Sequence, residues 1–369
     1  METTHKIFVG PAQRMSEISD KTVDFTITSP PYPMIEMWDE IMGLQNPEIL
    51  DALKNKNGNL AFELMHRELD KAWNELYRVT KNGGIVCINI GDATRTMNGD
   101  FKLYSNHSRI LSHCLKLGFN NFPNILWRKQ TNAPNKFMGS GMLPPGAYVT
   151  LEHEYILVFR KGNKREFKTE SEKINRQNSS FFWEERNIWF SDVWDFKGTT
   201  QKINGLNNRE RSGAFPFEMA YRMINMFSVK NDTILDPFMG TGTTMLASIA
   251  AGRNSIGYEI DSALASHILS IANMDSIKEM NLYIQNRLSK HLSFISERIK
   301  RFGKDAIKHN NKHYGFPVVT NQEKEIIINY IESLDKIDDN ALKAIYFNKP
   351  FLSYSDVGSL FSQPQTVQS

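Results

Sequence analysis

Two short segments of the chain hold residues able to do chemistry. The first, Ser29-Pro30-Pro31-Tyr32-Pro33, directly follows the β-branched and aromatic run Val23–Thr28. Prolines fix φ and remove amide donors, so the loop is stiff and extended. It offers the Ser29 hydroxyl, carbonyls with no competing local donors, and the aromatic face of Tyr32. Two acceptors beside a stacking platform suit a planar ring that bears an amino group. The second segment, Asp236-Pro237-Phe238-Met239-Gly240-Thr241-Gly242-Thr243-Thr244, lies between the apolar run Thr233–Leu235 and a helical pattern. Gly240 and Gly242 can take positive φ and let a ligand approach the backbone. No Gly-Lys-Ser/Thr follows, which excludes a P-loop, and Met245 stands where a GxGxxG fingerprint needs its third glycine. Glu259 closes the next apolar run, where a carboxylate accepts ribose hydroxyls.

The elements that position these loops follow from periodicity. Short β-branched or aromatic runs bounded by Gly, Pro, Asp or Asn predict strands at Lys6–Val9, Val23–Thr28, Ile85–Ile90, Asn124–Trp127, Tyr155–Phe159, Thr233–Leu235 and Ser255–Tyr258. Helical patterns fall at Leu60–Val79, Ser105–Leu117, Phe217–Phe227 and Thr243–Ala251. This alternation predicts an α/β fold, a mostly parallel sheet with helices on both faces, whose ligands sit beyond the carboxyl ends of the strands.

With 369 residues, 40% hydrophobic and 23% charged, the composition is globular and excludes a disordered or collagenous chain. Cys87 and Cys114 form no CxxC and no Cys/His cluster, so no disulfide framework and no metal centre is expected, and a reducing cytoplasm is the expected location. The N-terminal residues lack a signal-peptide pattern, and no apolar run reaches the ~18 residues of a membrane span. A net charge of +3 looks small for a nucleic-acid partner, but it averages unlike regions. Between 161 and 213, Lys161, Lys164, Arg165, Lys168, Lys173, Arg176, Lys197, Lys202, Arg209 and Arg211 interleave with Phe181, Phe182, Trp183, Trp189, Phe190, Trp194 and Phe196. Further on, Leu288, Leu292, Ile295, Ile299 and Phe302 mark one helical face. Arg287, Lys290, Arg298, Lys300, Arg301, Lys304, Lys308 and Lys312 stand against it. Two readings of that helix stand, a solvated face docked on the core and a surface turned to phosphates. Acidic residues collect elsewhere, as in Glu323–Asp339.

Ile27–Tyr32 and Asp236–Thr244 resemble the catalytic and cofactor motifs of S-adenosylmethionine-dependent amino-group DNA methyltransferases. Three further pieces match in order. Glu75–Gly84 resembles the helix and turn before the family's fifth strand, Glu152–Lys161 its last hairpin strand, and Ala214–Ala220 the segment leading into the cofactor half. The catalytic loop precedes the cofactor loop, the permuted order of the family's β group. The resemblance covers residues 6 to about 270 and implies a Rossmann-like fold with a seven-stranded, mostly parallel sheet. It divides the chain into a catalytic half (1–160), a target-recognition region (161–213), a cofactor half (214–272) and a helical C-terminal extension (273–369).

The resemblance implies catalysis by Ser29, Pro30, Pro31 and Tyr32. S-adenosyl-L-methionine would be held by Phe215, Pro216, Asp236, Pro237, Phe238, Gly240, Thr241, Gly242, Thr243, Thr244 and Glu259. The Ser29 hydroxyl and the Pro30 carbonyl would accept both N–H bonds of the target amino group and aim its lone pair at the methyl group, while Tyr32 stacks on the flipped base. Neither cysteine follows a proline, which argues against ring-carbon methylation through a thiolate. Serine in the first loop position points to cytosine N4 over adenine N6. The implied partner is double-stranded DNA, with a restriction endonuclease acting independently and a homodimer allowed. An RNA or orphan methyltransferase and a non-catalytic DNA-binding subunit are the alternatives. The chain departs from the family at Pro11, where members carry an aspartate for the cofactor's adenine amino group, and at Asn82, where proline is frequent.

Overall fold

The computed structural model describes residues 1–129, 138–139, 141–197 and 215–347. Strand β1 (Glu2–Val9) alternates buried and accessible residues, and β2 (Val23–Thr28) is buried throughout. Helices α1 (Asp39–Gln45), α2 (Pro47–Lys54) and α3 (Gly58–Val79) follow, the last two capped by the Asn46 and Asn57 side chains. β3 (Thr80–Ile90) returns to the sheet, then β4 (Ala93–Met97) and β5 (Asp100–Tyr104) form a small hairpin. α4 (Asn106–Leu117) ends at Gly118 in the left-handed conformation and leads into β6 (Phe119–Arg128). The short pair β7 (Met138–Gly139) and β8 (Ala147–Tyr148) precedes β9 (His153–Lys161). Next come α5 (Glu170–Asn178), α6 (Trp183–Trp189) and β10 (Val193–Asp195). α7 (Phe217–Phe227), β11 (Thr233–Asp236), α8 (Thr243–Ala251), β12 (Asn254–Glu259) and α9 (Ser262–Ile271) follow. α10 (Met274–Phe302), the pair β13 (His309–Asn310) and β14 (Pro317–Val318), β15 (Ile331–Asp338) and β16 (Ala341–Tyr346) complete the described chain.

The main sheet runs β10-β6-β9-β3-β2-β11-β12-β1-β16-β15. Its centre, β3-β2-β11-β12-β1, is parallel, whereas β9 is antiparallel to both β3 and β6. From β2 the chain crosses to β3 on one side, and from β11 it crosses to β12 on the other. The gap between β2 and β11 is therefore the switch point at which α/β sheets bind ligands. Side chains alternate between two apolar layers. Phe25, Ile27 and Cys87 face the layer of α7, α8 and α10, while Val86, Ile88 and Ile90 face that of α3 with Trp73.

All seven predicted strands and all four predicted helices are present, with bounds shifted by a few residues. The sheet has ten strands rather than seven, and the C-terminal extension is not wholly helical. Its helix ends at Phe302, and β16 and β15 join the sheet beside β1. The physical reason is the outer edge of β1. Glu2–Lys6 would present unpaired backbone groups, and Ala341–Ile345 pairs with them antiparallel. The Tyr346 hydroxyl anchors the pairing by donating to the Ile249 carbonyl (2.7 Å).

The resemblance assigns 161–213 to an aromatic, DNA-reading surface, yet Phe182, Trp189 and Trp194 are buried. β10 pairs in parallel with β6, and the Trp194 indole donates to the Trp189 carbonyl. Residues 198–213 of that region lie outside the described residues. The basic helix divides in a similar way. Leu288, Leu292 and Ile295 are buried in the chain's own core, and the side chain of Arg287, assigned from sequence to the opposite face, is only 9% exposed. Its guanidinium makes two bonds to the Glu185 carboxylate (2.6 and 2.8 Å) and one to the Tyr221 hydroxyl (3.1 Å). Arg298 lies over the Trp183 ring at 5.1 Å. Lys290, Lys300, Arg301 and Lys308 keep exposed positions on this part of the chain.

Candidate active site

A cleft of about 680 Å³ opens beyond the carboxyl ends of β2 and β11. Both sequence loops meet there, although they are two hundred residues apart in the chain. Ser29, Pro30, Pro31 and Tyr32 form one wall. Phe215, Asp236, Pro237, Phe238, Gly240, Thr241, Thr243 and Glu259 form another. Ile35 and Trp38 just before α1, with Ile41 and Gln45 on it, also line the cleft.

Three of the predicted cofactor residues act behind the wall rather than on it. Pro216 starts α7, its carbonyl accepting from the Met219 amide (3.0 Å). Gly242 takes φ +81° at the start of α8, and a Cβ there would stand 2.6 Å from the Ile268 side chain, so only glycine fits. Thr244 donates to Asp236 Oδ2 (2.5 Å).

Asp236 joins the two loops. Its fully buried carboxylate accepts from Thr28 Oγ1 (2.7 Å), one residue before Ser29, as well as from Thr244 and the Phe238 amide. Burial pushes its pKa up to about 6, against the pull of the Thr244 and Thr28 bonds. A carboxyl whose folded pKa exceeds its unfolded value favours the fold while protonated, and that contribution is lost as pH rises through the folded value. Relative to the wild type, Asp236→Asn should therefore gain about 2 kcal/mol of unfolding free energy between pH 4 and pH 7.5. Urea midpoints at the two pH values test this, and an equal difference at both would show that the carboxyl carries no such penalty.

Glu259 is buried at the end of β12, with Oε2 accepting from the Gly240 amide (2.9 Å) and Oε1 from the Asp261 amide (3.0 Å). The carboxylate thus holds the glycine loop while lining the cleft. Each carboxylate oxygen can accept more than one hydrogen bond, so ribose hydroxyls can bond Glu259 alongside these amides. At the position of the absent family aspartate the wall consists of Pro11, Ala12 and Gln13, and the Gln13 amide donates to Gln45 Oε1 (2.5 Å).

Sequence reasoning gave no role to Asn89, Lys129 and Glu154, which surround Tyr32. The Tyr32 hydroxyl donates to Glu154 Oε2 (2.8 Å) and accepts from Ser29 Oγ (3.1 Å) and Asn89 Nδ2 (2.8 Å). Asn89 also donates to Glu154 Oε2 (2.7 Å), and the Lys129 ammonium pairs with Glu154 Oε1. Burial, with the Glu154 charge next, holds the Tyr32 phenol well above its ordinary range. Gly91 lies against the ring, since a Cβ there would meet Tyr32 Cε2 at 3.0 Å. The only available signal was the segment Glu152–Lys161, which matched by pattern and suggested no chemistry. Cys87 and Cys114 are buried away from the cleft, and burial pushes both thiols up, which disfavours a thiolate nucleophile.

The fold and the site define a class, and comparison with known proteins agrees. The chain belongs to the N6/N4 DNA methylase family, whose model matches residues 23–270. It is 48% identical over 348 residues to the type II methyltransferase M.MthZI of Methanothermobacter thermautotrophicus, covering 94% of this chain and 96% of the relative. It is 50% identical over 273 residues to the type II methyltransferase M.MjaI of Methanocaldococcus jannaschii, covering 71% and 89%. Among solved structures, TTHA0409 of Thermus thermophilus complexed with S-adenosyl-L-methionine aligns with a TM-score of 0.56 at 29% identity, covering 72% of this chain and 92% of that one.

The protein is a DNA methyltransferase that uses S-adenosyl-L-methionine, and the cleft fits that cofactor. Above Gly240 the space is open, the nearest atom to a built Cβ being 3.9 Å away, and Gly10 faces open space as well. Glu259 lines the cleft with carboxylate oxygens that would accept from the ribose, and Phe238 and Ile260 line it with apolar surface against which a flat ring would lie. When bound, the cofactor supplies an electrophilic methyl group on a sulfonium. Glu259→Ala should weaken S-adenosylmethionine binding about tenfold to a hundredfold, the contribution of a hydrogen bond to a charged group. Unchanged affinity by calorimetry would remove Glu259 from the ribose site.

Proposed function

We propose that the protein methylates the exocyclic N4 of cytosine at a specific site in double-stranded DNA and is the modification enzyme of a restriction-modification system. The observation that carries the reading is Ser29, with its hydroxyl on the cleft wall beside Tyr32. Because Ser29 donates its proton to the Tyr32 oxygen, its own lone pairs are left to accept from an amino group. With the Pro30 carbonyl it would take both N–H bonds, favouring a pyramidal nitrogen whose lone pair points into the cleft. A paired base cannot reach this depth, so the target is flipped out at a cost of a few kcal/mol.

Adenine N6 is the second reading, since a hydroxyl and a carbonyl accept from any exocyclic amino group. The type II methyltransferases M.MthZI and M.MjaI support a role beside a restriction endonuclease, which acts as a separate protein. The cytoplasm is the compartment where such an enzyme meets DNA, and no helix among the described residues is long and apolar enough to cross a membrane. Sequencing DNA from an expressing cell, with a method that separates N4-methylcytosine from N6-methyladenine, tests base and site together. N4-methylcytosine at one sequence is expected, and N6-methyladenine would transfer the assignment to the second reading. Lys290, Lys300, Arg301 and Lys308 are proposed phosphate contacts, so log affinity for DNA should fall linearly with log salt.

A further inference from the structure

We propose that Ser29, Tyr32 and Glu154 form a proton relay that draws the displaced amino proton out of the cleft, with Glu154 as its terminal acceptor. The proposal rests on the reading of Ser29 as the group that binds the target nitrogen.

The hydrogen-bond directions carry it. An amide NH₂ can only donate, so Asn89 Nδ2 occupies one acceptor site of the Tyr32 oxygen at 2.8 Å and one of Glu154 Oε2 at 2.7 Å. Ser29 donates to the same Tyr32 oxygen at 3.1 Å. With its lone pairs taken, the Tyr32 hydroxyl must place its own proton on Glu154, 2.8 Å away. Both hydroxyl protons therefore run one way, from the cleft wall to the carboxylate. Lys129 bonds the other oxygen, Oε1, which fixes the rotation of the carboxylate and leaves Oε2 to Tyr32. Asn89 and Lys129 are positioning residues.

The remaining carboxylates on the cleft wall are otherwise engaged. Asp236 is filled by two threonine hydroxyls and an amide, Glu259 holds the Gly240 and Asp261 amides, and Asp261 accepts from Ala263 and Leu264. Among the described residues that line the cleft, Glu154 is the carboxylate joined to Ser29 through hydrogen bonds.

The step balances without an oxidant or a metal. As the target nitrogen bonds the methyl carbon, sulfur keeps the electron pair of the broken C–S bond and the positive charge passes to nitrogen. One N–H bond then breaks, and its electron pair restores the nitrogen lone pair. That proton goes to Ser29 Oγ, the Ser29 proton to the Tyr32 oxygen, and the Tyr32 proton to Glu154 Oε2, which ends as the neutral acid. Because the phenol is held well above its ordinary range, it passes a proton only as it receives one.

The test uses the full chain with duplex DNA and S-adenosylmethionine in single-turnover methyl transfer. Tyr32→Phe keeps the ring, and Glu154→Gln keeps an acceptor for the Tyr32 hydroxyl, so neither removes stacking or position alone. Each is expected to lower the rate about a hundredfold, the lower range of acid–base catalysis, with cofactor affinity by calorimetry unchanged. The wild-type rate should also show a solvent deuterium effect with a curved proton inventory, and Glu154→Gln should lose the curvature. Wild-type rates in both variants, together with loss of transfer in Ser29→Ala, overturn the relay and leave the reading of Ser29 standing. A wild-type rate in Ser29→Ala overturns that reading itself. Weakened cofactor binding with an unchanged rate at saturation also overturns the relay.

Discussion

Arg287→Ala is expected to lower the unfolding free energy by about 3–5 kcal/mol, the cost of stranding one partner of a buried ion pair. The guanidinium reaches both Glu185 oxygens and the Tyr221 hydroxyl, and lies 5.4 Å from the Trp189 ring centroid. Removal leaves Glu185 charged in a site that α6, α7 and α10 close from water. Urea denaturation measures the loss, and Glu185→Gln in the same chain should recover part of it, because the stranded charge is then gone. The salt dependence of DNA binding should stay the same in the single variant. A loss under about 1 kcal/mol with a shallower salt slope would show instead that Arg287 faces phosphate, the outcome expected of an exposed contact.

Tyr32→Ala is expected to cut methyl transfer a thousandfold or more while S-adenosylmethionine still binds. Two losses combine. The ring is the platform proposed for the flipped base, and stacking of a base on an aromatic side chain contributes about 1–3 kcal/mol. The hydroxyl links Ser29 to Glu154, and loss of a proton-transfer group costs about 10²–10⁴ in rate. Rapid-quench transfer and calorimetry separate the effects. Lost cofactor affinity with unchanged turnover would move Tyr32 from the target side of the cleft to the cofactor side.

The sequence was most legible where local chemistry and long-range position agree. Ser29–Tyr32 and Asp236–Thr244 stand out because stiff or glycine-rich loops follow buried strands, and both meet in one cleft. Glu259 was found by its place at a strand end, although its bonds to Gly240 and Asp261 were not. Asn89 and Glu154 were opaque for a different reason. Asn89 sits within an apolar run and Glu154 just before one, and their meeting with Tyr32 depends on β9 lying antiparallel to β3, with Asn89 opposite Ile156. Arg287 misled because a charge beside an apolar stripe reads as solvated until another element supplies its counter-charge, here Glu185 from a hundred residues earlier. The final hairpin misled because Glu332–Lys343 is highly charged and lacks the strict alternation of a half-buried strand. The vacant edge of β1 outweighed that local pattern.

That edge has a consequence for handling the protein. β1 is a long strand that pairs with β12 on one side, and among the described residues its other side is covered by β16. A chain shortened before Ile331 would keep the whole cleft but expose the amides and carbonyls of Glu2–Lys6 to any passing strand. Such open rows template pairing between molecules. The hairpin is best understood as a guard against self-association: its removal should show first as aggregates during expression, before any change in catalysis is seen.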